Sequence, residues 1–273
     1  MVESYEITEI LKKINNQVYH KIKLFLMKEN LHHFVFLVPF KNVKNYINDC
    51  IESILKQEYV HFTIYLLDDC STDGTLDAIV FQDDRIKMIR NSESMGAVAN
   101  LYHALKTLNI EEDQVVVWVD GDDCLFGNYT LQILNYYYNE GFLITYGQYI
   151  DNFGRTGLCR NYTLDEYEDL RKATWKASHL KTFKKSLFDR FMKCDPNGEF
   201  LKDKEGNFFM ATGDMAYMLP LLELAGYDKL KFVENVLYFY RISPHNDHST
   251  YEGRIKQVLA EEIIREKSRI NVY

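Results

Sequence analysis

The hydrophobic pattern divides the chain near residue 33. Between residues 2 and 30, Ile7, Ile10, Leu11, Ile14, Val18, Ile22, Phe25 and Leu26 recur at helical spacing with lysines and acids between them, which predicts one or two amphipathic helices. Such a helix packs outside a domain or meets another chain, and Glu3, Glu6 and Glu9 spoil the basic face a membrane surface would need. From residue 34 the period changes. Residues 34–38 form a continuous apolar run ended by Pro39, as a buried parallel strand does where its chain leaves the sheet. A helix follows, with Ile47, Cys50, Ile51, Ile54 and Leu55 on its apolar face. Further strands are predicted over 62–67, 85–89 and 115–119, with helical segments over 76–81 and 97–108 between them.

That alternation implies right-handed crossovers, an α/β class, and a mainly parallel sheet flanked by helices, with ligands bound beyond the carboxyl ends of the strands. Past residue 125 the rhythm weakens: a helix near 131–138, a strand over 142–146, a glycine-containing stretch over 151–163, and a charged helix over about 254–269. The expected division is an N-terminal helical extension over 1–33, a main domain over 34–249 with halves 34–125 and 126–249, and a C-terminal helix over 250–273. No repeat or low-complexity linker interrupts it.

Composition narrows the functional classes. A chain of 273 residues with 47% hydrophobic content can bury a substantial core. Its net charge of -8 argues against a nucleic-acid backbone binder, so phosphates would have to be gripped through a metal or local backbone donors. The five cysteines are scattered, without a C-x-x-C pair, which fits a reducing compartment. With no signal-like opening and no long apolar run, a soluble cytoplasmic protein is expected.

The chemistry gathers where the second and fourth strands end. Asp68 and Asp69 close one and lead into Cys70-Ser71-Thr72-Asp73-Gly74-Thr75; Asp120-Gly121-Asp122-Asp123 closes the other. Three carboxylates within four residues repel one another in a partly buried cleft, and a divalent cation is the economical remedy, Mg²⁺ or Mn²⁺ for oxygen ligands. A lone D-x-D reads more readily as a solvated turn, but the second acidic strand end reverses that preference. Residues 69–74 also mimic the start of a calcium loop, a reading that fails because Val80 stands where the bidentate Glu belongs. Ser71, Thr72 and Asp73 are expected to cap the following helix as well.

These residues resemble the family 2 glycosyltransferases, with their GT-A nucleotide-sugar fold, over roughly residues 34–248. Val38-Pro39-Phe40-Lys41-Asn42 is similar to the family's first-strand end, residues 68–75 to its D-D-x-S-x-D-x-T segment, and residues 120–123 to its D-x-D-D element, in the right order. The resemblance implies a metal-dependent, inverting hexosyltransferase that moves a sugar from a nucleotide-sugar, UDP-linked in the usual case, to the hydroxyl of a glycan, glycoconjugate or protein acceptor. It implies that Pro39 and Asn42 line the base pocket, that Asp69 accepts a hydrogen bond from the base, and that Asp120 approaches ribose or metal. Asp122 is implied as the main metal ligand, with Asp123 orienting the sugar or helping the metal.

Ala211-Thr212-Gly213-Asp214 resembles the family's E-D segment at a helix start, which makes Asp214 the candidate base, although Gly213 replaces the usual Glu. The competing reading of Asp214 is a helix N-cap. Tyr238-Phe239-Tyr240-Arg241 and the following loop are similar to the family's Y-R element, implying that Arg241 faces phosphate and His248 completes the metal site. Trp175 and His179 are implied near the sugar or acceptor pocket, with core packing the alternative for Trp175. Ala99 stands where the family commonly has Arg, which bears on donor identity. The second half then becomes the acceptor half, and the terminal helices offer surfaces for a homodimer. Two rivals stand beside this reading. A sugar-phosphate nucleotidyltransferase would carry a Gly-rich loop after the first strand, which residues 39–43 lack. A non-catalytic carbohydrate- or nucleotide-binding protein of the same fold has only Gly213 in its favour.

Overall fold

The computed structural model describes residues 30–243 and 250–270. The predicted amphipathic helices at the N-terminus, and His248, lie outside the described residues.

Strand β1 (Phe34–Phe40) is buried along its whole length. It lies between β2 (Phe62–Asp68) and β4 (Val115–Trp118), and β3 (Ile86–Arg90) flanks β2, all in parallel register. Beyond β4 come β7 (Lys181–Lys184), β6 (Ile144–Asp151), β8 (Leu230–Tyr240) and β5 (Cys124–Leu125), giving the order β3-β2-β1-β4-β7-β6-β8-β5. The sheet is therefore mixed: β7 runs antiparallel to both β4 and β6, β5 antiparallel to β8, and β6 and β8 are parallel to each other. The parallel half is the part whose alternation the hydrophobic pattern carried.

Side-chain alternation along the strands builds two cores. Phe34, Phe36, Val38, Ile64, Leu66, Val115 and Val117 meet helices α1 (Ile47–Leu55) and α4 (Thr130–Asn139) on one face. Val35, Leu37, Leu67, Val116 and Trp118 meet α3 (Gly96–Thr107), α6 (Lys185–Cys194) and α7 (Gly213–Ala225) on the other. Helix α7 is buried at every position from Met215 to Ala225, as a helix apolar all round must be.

Several boundaries differ from expectation for local reasons. Helix α2 spans only Thr75–Ala78, because the β-branched pair Ile79-Val80 leaves the helix, Ile79 being extended at φ -68°, ψ 117°. Its start is met by Asp73, whose carboxylate accepts from the Thr75 amide at 2.9 Å, rather than by Ser71 or Thr72. Helix α8 (Tyr251–Glu266) begins ahead of the charged stretch at 254–269 and within the expected 250–273, because the Thr250 hydroxyl accepts from the Gly253 amide at 3.0 Å. It packs through Gly253, Ala260 and Ile264, and Arg171, bidentate to Glu223, also donates to the Ile264 carbonyl. Helix α5 (Leu164–Glu168) carries a capping box of Thr163 and Glu166.

Candidate active site

The carboxyl ends of β1, β2 and β4 meet at one edge of the sheet, as parallel strands require, and bring the acidic segments together. Gly121 is needed there: a Cβ would lie 2.5 Å from the Phe40 Cβ, so only glycine lets the Asp120 turn pass the end of β1. The Trp118 indole donates to Asp120 Oδ1 at 2.8 Å. Tyr238, fully buried on β8, accepts from the Asp120 amide at 3.1 Å and donates to Asp123 Oδ2 at 2.9 Å. The Arg241 amide donates to Asp123 Oδ1 at 2.7 Å. Both oxygens of Asp123 are thus engaged and the residue is 1% exposed, so it braces the turn from below.

Charge is crowded in this turn. Burial first, then the Asp120 charge, pushes the Asp122 carboxyl up to about 6, and burial with the charges of Asp122 and Asp120 raises Asp123 well above the usual carboxylate range. Lys181, itself 1% exposed, places Nζ 3.8 Å from Asp120 Oδ2 and 3.9 Å from the centroid of the Trp118 ring. His179 Nδ1 lies 4.0 Å from the same carboxylate oxygen and is buried without a hydrogen-bond partner. Its ring is stacked on Tyr238 at 4.7 Å and on Tyr240 at 5.1 Å, and burial together with the Lys181 charge holds it neutral, well below the usual imidazole range. Ligand atoms of Asp120, Asp123 and His179 all fall within 4.8 Å of one another.

Two cavities share these acids. One, of about 300 Å³, is lined by Asp120, Asp122, His179, Lys181 and Tyr240 and by residues 209–214, including Asp214. The other, of about 240 Å³, is lined by Pro39, Lys41, Asp69, Asn100, Asp120 and Asp122. Asp69 is held below its ordinary pKa: burial would raise it, but Asn91 Nδ2, the Ser94 hydroxyl and the Met95 and Gly96 amides all donate to its oxygens and prevail. Asp214, in the first turn of α7, accepts from the Met215 amide at 2.8 Å; the cap position belongs to Thr212.

Of the residues singled out from sequence, Pro39, Asp69, Asp120, Asp122, Asp123 and Asp214 line these joined cavities. Two lie elsewhere. Asn42, in the left-handed region at φ 55°, uses its side chain to accept from the Thr72 amide at 2.8 Å and ties the β1 and β2 loops together. Arg241 donates to the Asp122 carbonyl at 2.8 Å and to Asp49 at 3.2 Å, stacks over Tyr46 and lines a separate pocket with Asp49. Trp175 packs against the core of the α7 face. Lys181 lies in the segment 178–183 that resembles one some family members place beside the active site, but receives no role of its own from sequence.

Gly213 has a packing explanation. A Cβ there would lie 2.7 Å from Val98 Cγ2, so α3 approaches α7 more closely than the family's usual Glu would allow.

The α/β sheet thus carries a carboxylate cleft at its parallel edge, joined to a second pocket beside the first strand. The sequence profile of "Glycosyl transferase family 2" matches residues 35–197, more than half of the chain, and the protein belongs to that family. GlyG of Streptococcus pneumoniae serotype 4, a glycosyltransferase, is 26% identical over 226 residues, 75% of this chain and 69% of that protein. A glucosyltransferase of Escherichia coli, WfgD, named for UDP-Glc and α-D-GlcNAc-diphosphoundecaprenol, is 28% identical over 41% of this chain and 44% of its own length. The fold is shared with residues 1–349 of S. aureus TarS bound to UDP, at TM-score 0.56 and 18% identity over 82% of this chain and 65% of that one. It is also shared with the mannosyltransferase PcManGT of Pyrobaculum calidifontis bound to GDP-Man and Mn²⁺, at TM-score 0.57 and 18% identity over 93% and 72%. These are GT-A folds, and the chain is a glycosyltransferase. No helix among the described residues is long and apolar enough to cross a membrane.

Proposed function

We propose that the chain transfers a sugar from a nucleoside-diphosphate sugar, UDP-linked, to a hydroxyl of a glycan or glycoconjugate acceptor, with inversion and with Asp214 as the base. The observation that carries this reading is that Asp214 lines the same cleft as Asp120 and Asp122, while those two acids also line the pocket beside Pro39 and Asp69. The nucleotide then lies in the smaller pocket, the diphosphate by Asp120 and Asp122, and the sugar towards Asp214. UDP is favoured by the names of the E. coli and S. aureus proteins; PcManGT, bound to GDP-Man, makes GDP the comparison to run.

The site fits a divalent cation. Its donors are hard carboxylate oxygens, Asp122 is pushed up by burial and by the Asp120 charge, both of which a cation would offset, and an unpartnered imidazole nitrogen of His179 borders the cluster. Asp122 and Asp120 would hold Mn²⁺ or Mg²⁺, with His179 as the nearest imidazole among the described residues and Asp123 positioning the turn; when bound, the ion supplies charge stabilisation for the leaving diphosphate. Asp214 removes the proton from the acceptor hydroxyl as that oxygen attacks the anomeric carbon. The new carbon–oxygen bond forms opposite the phosphate, and the anomeric bond to phosphate breaks with its electron pair leaving on the nucleoside diphosphate. The Lys181 amino group stands 3.8 Å from Asp120 Oδ2, beside the proposed diphosphate position.

Calorimetry with UDP and GDP, each with Mn²⁺ or with EDTA, tests the assignment. Metal-dependent binding of UDP is expected, and Asp214→Asn should retain it while losing transfer by about 10²–10⁴-fold. Equal UDP affinity in EDTA, or full transfer by Asp214→Asn, would contradict it.

A further inference from the structure

A third cavity, of about 550 Å³, opens on the far side of His179 and Asp214. That volume is in the range of small-ligand sites, about 300–1,000 Å³. Its walls include Tyr149, Asp151, Arg155, Leu158 and Tyr240, and Asp214 and His179 belong equally to it and to the Asp120 cleft. The candidate base therefore stands where the two cavities meet.

The wall is a hairpin that local chemistry holds in shape. Asp151, at the end of β6 and 5% exposed, accepts from the Phe153 and Arg155 amides at 2.8 and 2.9 Å and from Arg155 Nε at 2.8 Å. The Gly157 amide returns to the Tyr149 carbonyl at 3.0 Å. A Cβ on residue 157 would lie 2.3 Å from the Tyr149 ring, so glycine at that point is what allows the ring to lie against the hairpin. Tyr149 meets His179 edge-on at 5.8 Å and Tyr240 at 5.5 Å, so aromatic surface forms one side of the cavity. Leu158, 83% exposed, stands at the rim.

Charge bookkeeping separates the candidate ligands. Arg155 is the cation of this wall, and its ion pair with Asp151 cancels it. His179 is neutral. Asp214 has no cation within ion-pairing distance among the described residues, so a second anion in the cavity would meet uncompensated repulsion. Resting on the proposed function above, we infer that this cavity is the acceptor subsite and that it takes an uncharged sugar ring, whose apolar face lies on Tyr149 and whose hydroxyl is presented to Asp214, in preference to a phosphate- or carboxylate-bearing terminus.

The test uses the full chain saturated with UDP and Mn²⁺, and reads ligand binding by saturation-transfer NMR with p-nitrophenyl glucoside, galactoside, N-acetylglucosaminide and glucuronide as probes. At least one neutral glycoside is expected to receive transfer at its ring protons. The glucuronide should bind about tenfold more weakly than the glucoside, the ratio that roughly 1.4 kcal/mol of like-charge repulsion gives. Tyr149→Ala should abolish the ring-proton signal. Because Tyr149 packs on the hairpin, Leu158→Lys is the second variant: it adds a cation at an exposed position and should bring the glucuronide within about threefold of the glucoside, a gain of roughly 0.7 kcal/mol. Equal binding of glucuronide and glucoside by the native protein, absence of binding by every neutral probe, or indifference to both variants would overturn the inference. UDP binding measured on the same samples keeps the two readings apart, since loss of UDP binding speaks against the donor site and not the acceptor subsite.

Discussion

Replacing Asp122 by Asn should make the protein more stable while removing metal-dependent nucleotide binding. Burial and the neighbouring Asp120 raise the Asp122 carboxyl from 3.8 to about 6 in the folded state, so the folded protein holds this proton more tightly than the unfolded chain does. Below pH ~4 the group is protonated in both states and costs nothing. As pH rises from there to about 6 the unfolded chain ionises first, and stability falls; above about 6 the full cost of up to ~3 kcal/mol is in place. Asn keeps the shape and does not titrate. In EDTA, Asp122→Asn and the native protein should therefore melt together at pH 4 and separate towards pH 8, the variant melting higher by roughly 5–10 °C for a domain of this size. Differential scanning calorimetry across pH checks it. A native protein that melts with or above the variant at pH 8, or a gap of the same size at pH 4, would refute the claim that this carboxylate is held at a cost. Addition of Mn²⁺ and UDP should raise the native melting temperature and leave that of the variant unchanged.

Three further substitutions probe what supports the site. Gly213→Ala should destabilise by about 1–3 kcal/mol because its Cβ meets Val98, and Val98→Ala in the same chain should recover most of the loss in a denaturant titration. Tyr238→Phe keeps the ring stacked on His179 but leaves Asp123 and the Asp120 amide short of a partner; a loss of about 1–3 kcal/mol with weaker UDP binding is expected, and intact UDP affinity would show that the turn is held by other contacts. Arg171→Leu leaves Glu223 buried without its partner and should cost about 3–5 kcal/mol, whereas the double change with Glu223→Leu should cost less, since it removes both charges; thermal melts of the pair decide it.

Sequence alone determined the parallel half of the sheet. The apolar run into Pro39, the helix face of Ile47, Cys50, Ile51 and Ile54, and the acids after two strands are local signals: period, turn chemistry and strand-end position are written within a few residues of where they act. The same signals marked Asp69, Asp120 and Asp122, the resemblance to the family marked Asp214, and the structure brings those four to adjoining cavities.

Tertiary structure decided the rest. Strand β7 reads as Lys-Thr-Phe-Lys and gave no apolar signal, yet every position is buried, because Lys181 finds the Trp118 ring and Asp120 while Lys184 donates to the Asp113 carbonyl at 2.6 Å. Strand β8 is broken in pattern by Glu234 and Asn235 and pairs with β6 through a shifted register, which only the partner strand defines. The neutral His179 beside Asp120, the turn of Arg241 towards Asp49, and the fit of Gly213 to Val98 depend on elements far apart in the chain. Periodicity fixes which face of an element is buried, but which polar group is paired, and with what, is settled only when distant strands close on one another.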